Sequence, residues 1–171
     1  ALEGGGISMR YAVATIYNTT IDHNQVSSYN YNGGGMAIYY SDVTMKNTII
    51  SNNDAGMYGG GLAIQGDSTT VTLRQSSFIN NDATNNGDEI YTLESPTISL
   101  INTYFNNPNN NNNIYDSGTP TWKTCSDNLC TEEPFTGTCN AVDIANIKLG
   151  INCPLFNGAC GIGKFTNYYL I

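Results

Sequence analysis

Apolar and polar residues alternate in short segments that repeat along the first two thirds of the chain. Four apolar residues recur at intervals of 29, 28 and 27 residues. Each is followed within three positions by Asn or by an Asn pair. We call them the anchor residues: Ile21, Ile50, Phe78 and Phe105. Seven and five positions before each anchor stand further apolar residues, with Thr or Ser between them. Because successive side chains of a strand point to opposite faces, this pattern predicts a strand that is apolar inside and hydroxylated outside.

Equivalent positions of the repeat form rows of similar residues. The inner apolar rows are Ala14, Val43, Val71 and Ile98, and Ile16, Met45, Leu73 and Leu100. The outer hydroxyl row is Thr15, Thr44, Thr72 and Ser99. An amide row, predicted to hydrogen-bond along the stack, is Asn18, Asn47, Gln75 and Asn102. Gly triplets start at Gly4, Gly33 and Gly59, with a degenerate copy at Gly87, and a short alternating stretch follows each.

Three short strands per repeat, stacked like on like, predict an all-β, right-handed parallel β-helix of four to five coils. Four coils would cover residues 4–107, and Ile90 and Pro96 recur 24 residues later as Ile114 and Pro120. This partial fifth coil would place Trp122 at the position of Ile98. A β-sandwich is the alternative, but it does not require aligned apolar, amide and Gly positions. We therefore assign residues 1–122 to the β-helix and residues 123–171 to a tail.

The ends of each repeat carry a family resemblance. The starts Gly4-Gly5-Gly6-Ile7 and Gly59-Gly60-Gly61-Leu62, with ends such as Phe78 to Asn81, resemble the polymorphic outer-membrane-protein repeats. The segment Gly87-Asp88-Glu89-Ile90-Tyr91 is similar to the terminal units of such arrays. The resemblance implies right-handed β-helix surface proteins that are adhesive or structural and mostly without catalytic activity. Pro108 departs from the pattern, since Asn is expected there.

All the cysteines lie in the tail. Their clustering outside the repeats predicts disulfide bonds formed in an oxidising, extracellular setting. The candidates are Cys125, Cys130, Cys139, Cys153 and Cys160, and their pairing and the fate of the odd thiol stay open. A zinc site is the weaker interpretation, because Cys-x2-Cys pairs are absent and the only histidine, His23, is distant in sequence.

The last residues of the tail have strong strand propensity. They predict either a strand that closes the tail or a segment that adds to a sheet edge of a neighbouring subunit. The assembly candidates are Phe165, Tyr168, Tyr169, Leu170 and Ile171. Self-association is therefore the expected partner interaction.

Charge and hydropathy limit the kinds of partner that the chain is expected to bind. The net charge of −8 leaves no basic patch for nucleic acid, and no apolar run approaches the ~18 residues that membrane insertion requires. The chain opens Ala1-Leu2-Glu3 without a signal-peptide pattern, which favours a processed chain or a fragment. Asn18-Thr19-Thr20 is the single glycosylation sequon, so Asn18 is a candidate site.

Candidate chemistry is sparse. Acidic residues are dispersed, and we expect no catalytic site and no cofactor. Asp54 and Asp82 occupy equivalent positions, which indicates hydrated carboxylates or, less favoured, a shared Ca²⁺. Lys46 and Arg74 align in the same way and indicate a solvated basic row.

We therefore expect a non-catalytic, extracellular or cell-surface protein with a structural or adhesive role, assembling into a fibre through coil ends and the C-terminal strand. The alternative is a carbohydrate-binding or polysaccharide-degrading β-helix module with glycans as partners. Tyrosines predicted to be exposed would stack on its sugar rings: Tyr29, Tyr31, Tyr39 and Tyr40.

Overall fold

The strands of this protein wind through four sheets, and each coil visits the sheets in the same order. A computed structural model describes residues 4–27, 32–101, 103–106, 114–126, 129–134 and 138–139. Within these residues every regular element is a β-strand. No helix in this part of the chain has the length and hydropathy needed to cross a bilayer.

The strands, numbered in chain order, group by sheet as follows. The first sheet contains β1 (Ile7–Arg10), β5 (Met36–Tyr39), β9 (Leu62–Gln65), β13 (Ile90–Leu93), β16 (Ile114–Asp116) and β19 (Thr138–Cys139). The second contains β2 (Val13–Tyr17), β6 (Asp42–Lys46), β10 (Thr70–Arg74), β14 (Thr97–Ile101), β17 (Thr121–Ser126) and β18 (Leu129–Pro134). The third contains β3 (Thr20–Asp22), β7 (Ile49–Ser51), β11 (Ser77–Ile79) and β15 (Tyr104–Asn106). The fourth contains β4 (Gln25–Val26), β8 (Asp54–Ala55) and β12 (Asp82–Ala83).

Neighbouring coils pair in parallel, and their register confirms the predicted rows. Val43 lies between Ala14 and Val71, and the anchor residues are paired in the same way. The predicted continuation is also confirmed, since Ile114 pairs with Ile90 and Trp122 with Ile98. The fold is therefore an all-β parallel β-helix, as the repeat predicts.

Two details of the prediction are wrong. Each of the first three coils has four strands instead of three, because a two-residue strand after the anchor pairs in the fourth sheet. The stack has about three complete coils instead of four to five, since β13 to β15 are not followed by a fourth-sheet strand in the described residues. At the position equivalent to Asn24 and Asn53, which donate their backbone N–H to the next coil, the sequence has proline, and Pro108 itself lies outside the described residues.

The strands that follow Trp122 change the direction of pairing. Strand β17 crosses the predicted boundary at 122/123 without interruption, and β18 and β19 then pair antiparallel to β17 and β16. In this register the backbone of Cys125 lies opposite that of Cys130, and Cys139 lies opposite Ile114. Cys153, Cys160 and the assembly candidates Phe165, Tyr168, Tyr169, Leu170 and Ile171 lie outside the described residues. The disulfide and assembly assignments stay predictions.

The inward rows form one continuous apolar column. From the second coil onward its side chains are almost completely buried, including Met36, Ile38 and Met45. The aromatic anchors Phe78 and Phe105 stack with ring centroids 5.1 Å apart and planes 11° from parallel. Burying a side chain of this size contributes about 1.5–3 kcal/mol, so the column supplies most of the folding free energy.

A buried column of asparagines runs beside the apolar column. The Oδ1 of Asn53 accepts from the backbone N–H and the Nδ2 of Asn24 at 2.9 and 3.0 Å. Asn81 Oδ1 accepts the same two bonds from Asn53 at 3.0 and 2.8 Å. Each Nδ2 also donates to an anchor carbonyl one coil earlier, Asn53 to Ile21 and Asn81 to Ile50, both at 2.9 Å. Asn53 and Asn81 are therefore each both a donor and an acceptor along the stack axis.

The predicted amide row plays a different part. Its members are exposed and adopt left-handed φ values of 48° at Asn18, 51° at Asn47 and 48° at Gln75, so they turn the corner between the second and third sheets. One inter-coil bond joins them in the described part of the chain, from Asn47 Nδ2 to Asn18 Oδ1 at 3.1 Å. Asn102 lies outside the described residues. The ladder prediction is therefore confirmed for Asn18 and Asn47, and a second amide column that the sequence analysis does not predict lies at Asn24, Asn53 and Asn81.

The buried column makes a quantitative prediction for Asn53. We expect Asn53→Ala to lower the free energy of unfolding by about 2 kcal/mol or more, because the buried N–H and Nδ2 of Asn24 lose their acceptor. Urea unfolding followed by circular dichroism measures the change. Asn85→Ala, at an exposed position outside the column, is the matched control and should cost under about 0.5 kcal/mol. Equal losses in the two variants would contradict a structural role of the column.

Candidate functional site

The corner between the first and second sheets carries tyrosines in a strained backbone conformation. Tyr11 and Tyr40 have φ values of 52° and 47°, and Gly66 and Glu94 occupy the same corner of the next coils at 117° and 70°. Left-handed backbone suits Gly and Asn, whereas a bulky side chain there costs about 1–2 kcal/mol per residue. The two tyrosines are the bulky aromatic residues among the left-handed positions of the described chain.

The two rings stack along the helix axis. Their centroids are 5.6 Å apart and their planes differ by 14°. The Tyr40 ring also covers Gly66, where a Cβ atom would lie 2.6 Å from ring carbon Cδ1, so this position requires glycine. Tyr40 donates its hydroxyl to the Glu94 carboxylate at 3.2 and 3.3 Å. Tyr40 is therefore fixed on both faces and at its hydroxyl end.

Partial desolvation, and after it the charge of Glu94, raise the pKa of the Tyr40 hydroxyl above its ordinary value of 10.0. The hydroxyl therefore stays protonated and remains a donor to Glu94 at neutral pH. Tyr11, in contrast, is 74% exposed, so the ring surface that Tyr40 leaves uncovered is accessible.

A shallow groove of about 340 Å³ opens beside this tyrosine pair. Its walls are residues 11–13 of the first coil, residues 40–42 of the second and Ser68 of the third. Ser41 holds the floor, because its hydroxyl accepts from Ala12 N–H at 3.0 Å and donates to the Tyr39 carbonyl at 2.7 Å. Val13 is 87% exposed on one side, and the Asp42 carboxylate faces solvent. Aromatic and apolar walls with a few polar groups are typical of small-ligand sites.

The single histidine does not form a nucleophilic triad. His23 Nδ1 lies 2.5 Å from Asp22 Oδ2, and the Ser51 hydroxyl donates to Asp22 Oδ1 at 2.7 Å. The carboxylate therefore stands between serine and histidine, so the hydroxyl is not directed at a base as nucleophilic catalysis requires. Hydrogen bonds from Ser51, Asn52 and His23 lower the pKa of Asp22 to about 2, which makes this cluster a surface connection between the first two coils.

Two carboxylates are buried at the degenerate Gly corner. Asp88 is 2% exposed and Glu89 is fully buried. Asn81 donates its Nδ2 to Glu89 Oε2, and the backbone N–H of Ala83 donates to Asp88 Oδ1 at 2.9 Å. Desolvation raises the pKa of Asp88 to about 7, more than the Ala83 hydrogen bond lowers it. Their burial keeps both groups from a dissolved substrate, so we assign them a structural role.

The structure separates the other candidates. Lys46 and Arg74 are adjacent in register on exposed strand positions, as predicted. Asp54 and Asp82 are also adjacent, and Gln25 donates to Asp54 Oδ2 at 2.7 Å. Within the described residues, His, Cys, Asp and Glu side chains do not come together in a group of three or more that could hold a metal ion.

The structure also locates the predicted glycosylation site and the tyrosines predicted to be exposed. Asn18 is exposed, so its side chain is accessible to modification. Tyr39 is buried, at 2% exposure, and the Arg10 guanidinium lies over its ring at 5.3 Å, so the prediction of an exposed sugar-stacking Tyr39 is wrong. The outer face of its strand is covered, which alternation alone does not indicate. Tyr29 and Tyr31 lie outside the described residues.

Sequence reasoning missed Tyr11 and the burial of the Asp88–Glu89 pair. The signal for Tyr11 was present, because it stands 29 residues before Tyr40, directly after the equivalent strand. Comparisons with protein-family models, with curated proteins and with solved structures give no match for this chain. The resemblance to polymorphic outer-membrane-protein repeats therefore rests on the repeat residues alone.

Burial of Asp88 predicts a pH-dependent stability. Between about pH 4 and pH 7 the folded chain holds a proton on Asp88 that the unfolded chain has released, so stability should fall as pH rises through this window. Asp88→Asn keeps an acceptor for Ala83 and removes the ionisation, so we expect a smaller decline and a higher melting temperature at pH 7.5. Thermal melts at pH 4.5, 6 and 7.5 measure it. Asp42→Asn, at an exposed carboxylate, is the control, and an unchanged pH profile in Asp88→Asn would refute the assignment.

Proposed function

We propose that this chain is a non-catalytic structural or adhesive module of the cell exterior, built as a stiff rod that associates with further copies through its coil ends. The observation that supports the proposal is the lower burial of the inward side chains in the first described coil. Ile7, Met9 and Ile16 are only partly buried there, whereas their partners Met36, Ile38 and Met45 in the second coil are fully buried. A second rod would bury this surface.

The backbone of the first coil supports the same interaction. Ala12 O and Asn18 N–H bond to the second coil, so alternation turns the N–H groups of residues 13, 15 and 17 toward the uncovered side. The strands of successive coils already pair in parallel at this spacing, so another coil in the same register would continue the sheets. Partly exposed apolar residues and an open strand edge together favour assembly.

The chemistry of the chain is consistent with an exterior location. All five cysteines lie in the tail, and disulfide bonds between them would form and persist in an oxidising exterior. The resemblance to surface-protein repeats favours the same setting. Adhesion and the fibre form are part of this proposal.

The test uses the strand edge itself. We expect the purified chain to form end-to-end assemblies, visible by electron microscopy and by light scattering after size-exclusion chromatography. Thr15→Pro removes an N–H that faces the uncovered side and leaves the bonds to β6 in place, so it should convert the assemblies to monomers.

Thr15→Ser retains the N–H and is the matched control, which should assemble like the parent chain. Circular dichroism confirms that Thr15→Pro keeps its β-structure, so that dissociation is separated from unfolding. A parent chain that is a monodisperse monomer at all concentrations would overturn the proposal.

A further inference from the structure

We propose that the groove beside Tyr11 and Tyr40, bounded by Val13, Asp42 and Ser68, binds a neutral saccharide. The inference names a ligand class for the adhesive role and rests on that proposed function. Its evidence is separate, because the groove lies on the side of the rod and is lined by residues of three coils.

The backbone cost of the tyrosines is the first step. Left-handed backbone disfavours a bulky side chain, and stacking of the two rings offsets part of this cost. Gly66 and Glu94 occupy the same corner in the next two coils. A stacked tyrosine pair in this backbone conformation is the local outlier from which we infer a role in binding.

The geometry of the rings is the second step. Tyr40 is held by Gly66 below, by Tyr11 above and by Glu94 at its hydroxyl, so the pair is rigid before any ligand binds. Rigid aromatic side chains lose little conformational entropy on binding. The part of the Tyr11 side chain that lines the groove and the exposed Val13 offer apolar surface to a sugar ring. The Asp42 carboxylate and the Ser68 hydroxyl can hydrogen-bond to sugar hydroxyls.

Charge selects the kind of saccharide. Asp42 lines the groove, and Asp67 and Glu94 lie close enough to Tyr40 to raise its pKa, so the local potential is negative and disfavours sulfated or carboxylated sugars. The neighbouring cation, Arg10, is placed over the ring of Tyr39. Both faces of Tyr40 are covered, so a cation cannot lie over its ring. A neutral saccharide satisfies all of these conditions.

The test uses the full chain and defined oligosaccharides. Cellohexaose, xylohexaose and mannohexaose are the neutral probes, with hexagalacturonate as the anionic and the glucosamine hexamer as the cationic contrast. We expect at least one neutral probe to bind by isothermal titration calorimetry and the anionic probe not to bind. Tyr11→Asn should weaken the affinity for the neutral probe by about tenfold or more, which is the effect of losing one aromatic contact.

Two comparisons make the result specific. Asn suits a left-handed backbone, so Tyr11→Asn should melt at or above the temperature of the parent chain, and lost binding cannot then be attributed to unfolding. Tyr17→Thr, at an exposed tyrosine at the end of β2 that does not line the groove, is the matched control and should bind like the parent.

The outcomes separate the two proposals. Binding that is weakened by Tyr11→Asn and not by Tyr17→Thr supports the groove. Absence of binding to every neutral probe, binding of the cationic or anionic hexamer alone, or equal binding by Tyr11→Asn overturns it. Assembly is measured with Thr15→Pro in the absence of sugar. A chain that assembles but does not bind sugar overturns only the groove proposal. A chain that binds sugar as a monomer overturns only the assembly proposal.

Discussion

Stacking of successive coils in register, about 4.8 Å apart, is the constraint on which the rest of the structure depends. Each position must tolerate a similar side chain directly above and below it. Apolar side chains satisfy this condition in the interior, and asparagine satisfies it with hydrogen bonds, since its amide donates to one coil and accepts from the other. Like charges do not satisfy it, because they repel. Lys46 beside Arg74 and Asp54 beside Asp82 accordingly lie where solvent reaches them.

A column of self-complementary amides needs a different partner where it ends. At the fourth coil the sequence has Pro108 where Asn would continue the column, and it has Glu89 where the preceding triplets have their third glycine. Gly61 lies close enough to the Asn81 amide that an added Cβ would be 3.1 Å from its Nδ2. At the equivalent position of the next coil, Glu89 has a side chain, and its carboxylate accepts a hydrogen bond from the Asn81 amide. Both departures from the repeat fall in the fourth coil, where the described residues bring carboxylates into the interior at Asp88 and Glu89.

The sequence was sufficient for properties that repeat. The register of the anchors, the inner rows and the outward Thr row could be predicted because each has three or four copies, and an error at one position is corrected by the others. Single departures could not be predicted in this way. Burial of Glu89 accompanies a hydrogen bond from Asn81 that is not part of the repeat, and burial of Tyr39 depends on what covers the outer face of the first sheet. The short fourth strand was missed because two residues are too few for alternation to be visible.

The candidate groove illustrates why a site on such a rod depends on departures from the repeat. The aromatic row is two coils long, because Gly66 and Glu94 replace tyrosine in the next two, so the platform extends about 10 Å along the axis and can contact only a short ligand segment. A shallow contact of this size gives weak affinity, since few atoms are removed from water. An assembly of rods would present one groove per copy at fixed spacing, and a polymeric ligand that reaches several grooves would be held by their combined avidity. Weak binding at one groove and strong attachment by a fibre are therefore compatible, and rigidity of the stack is the property that connects them.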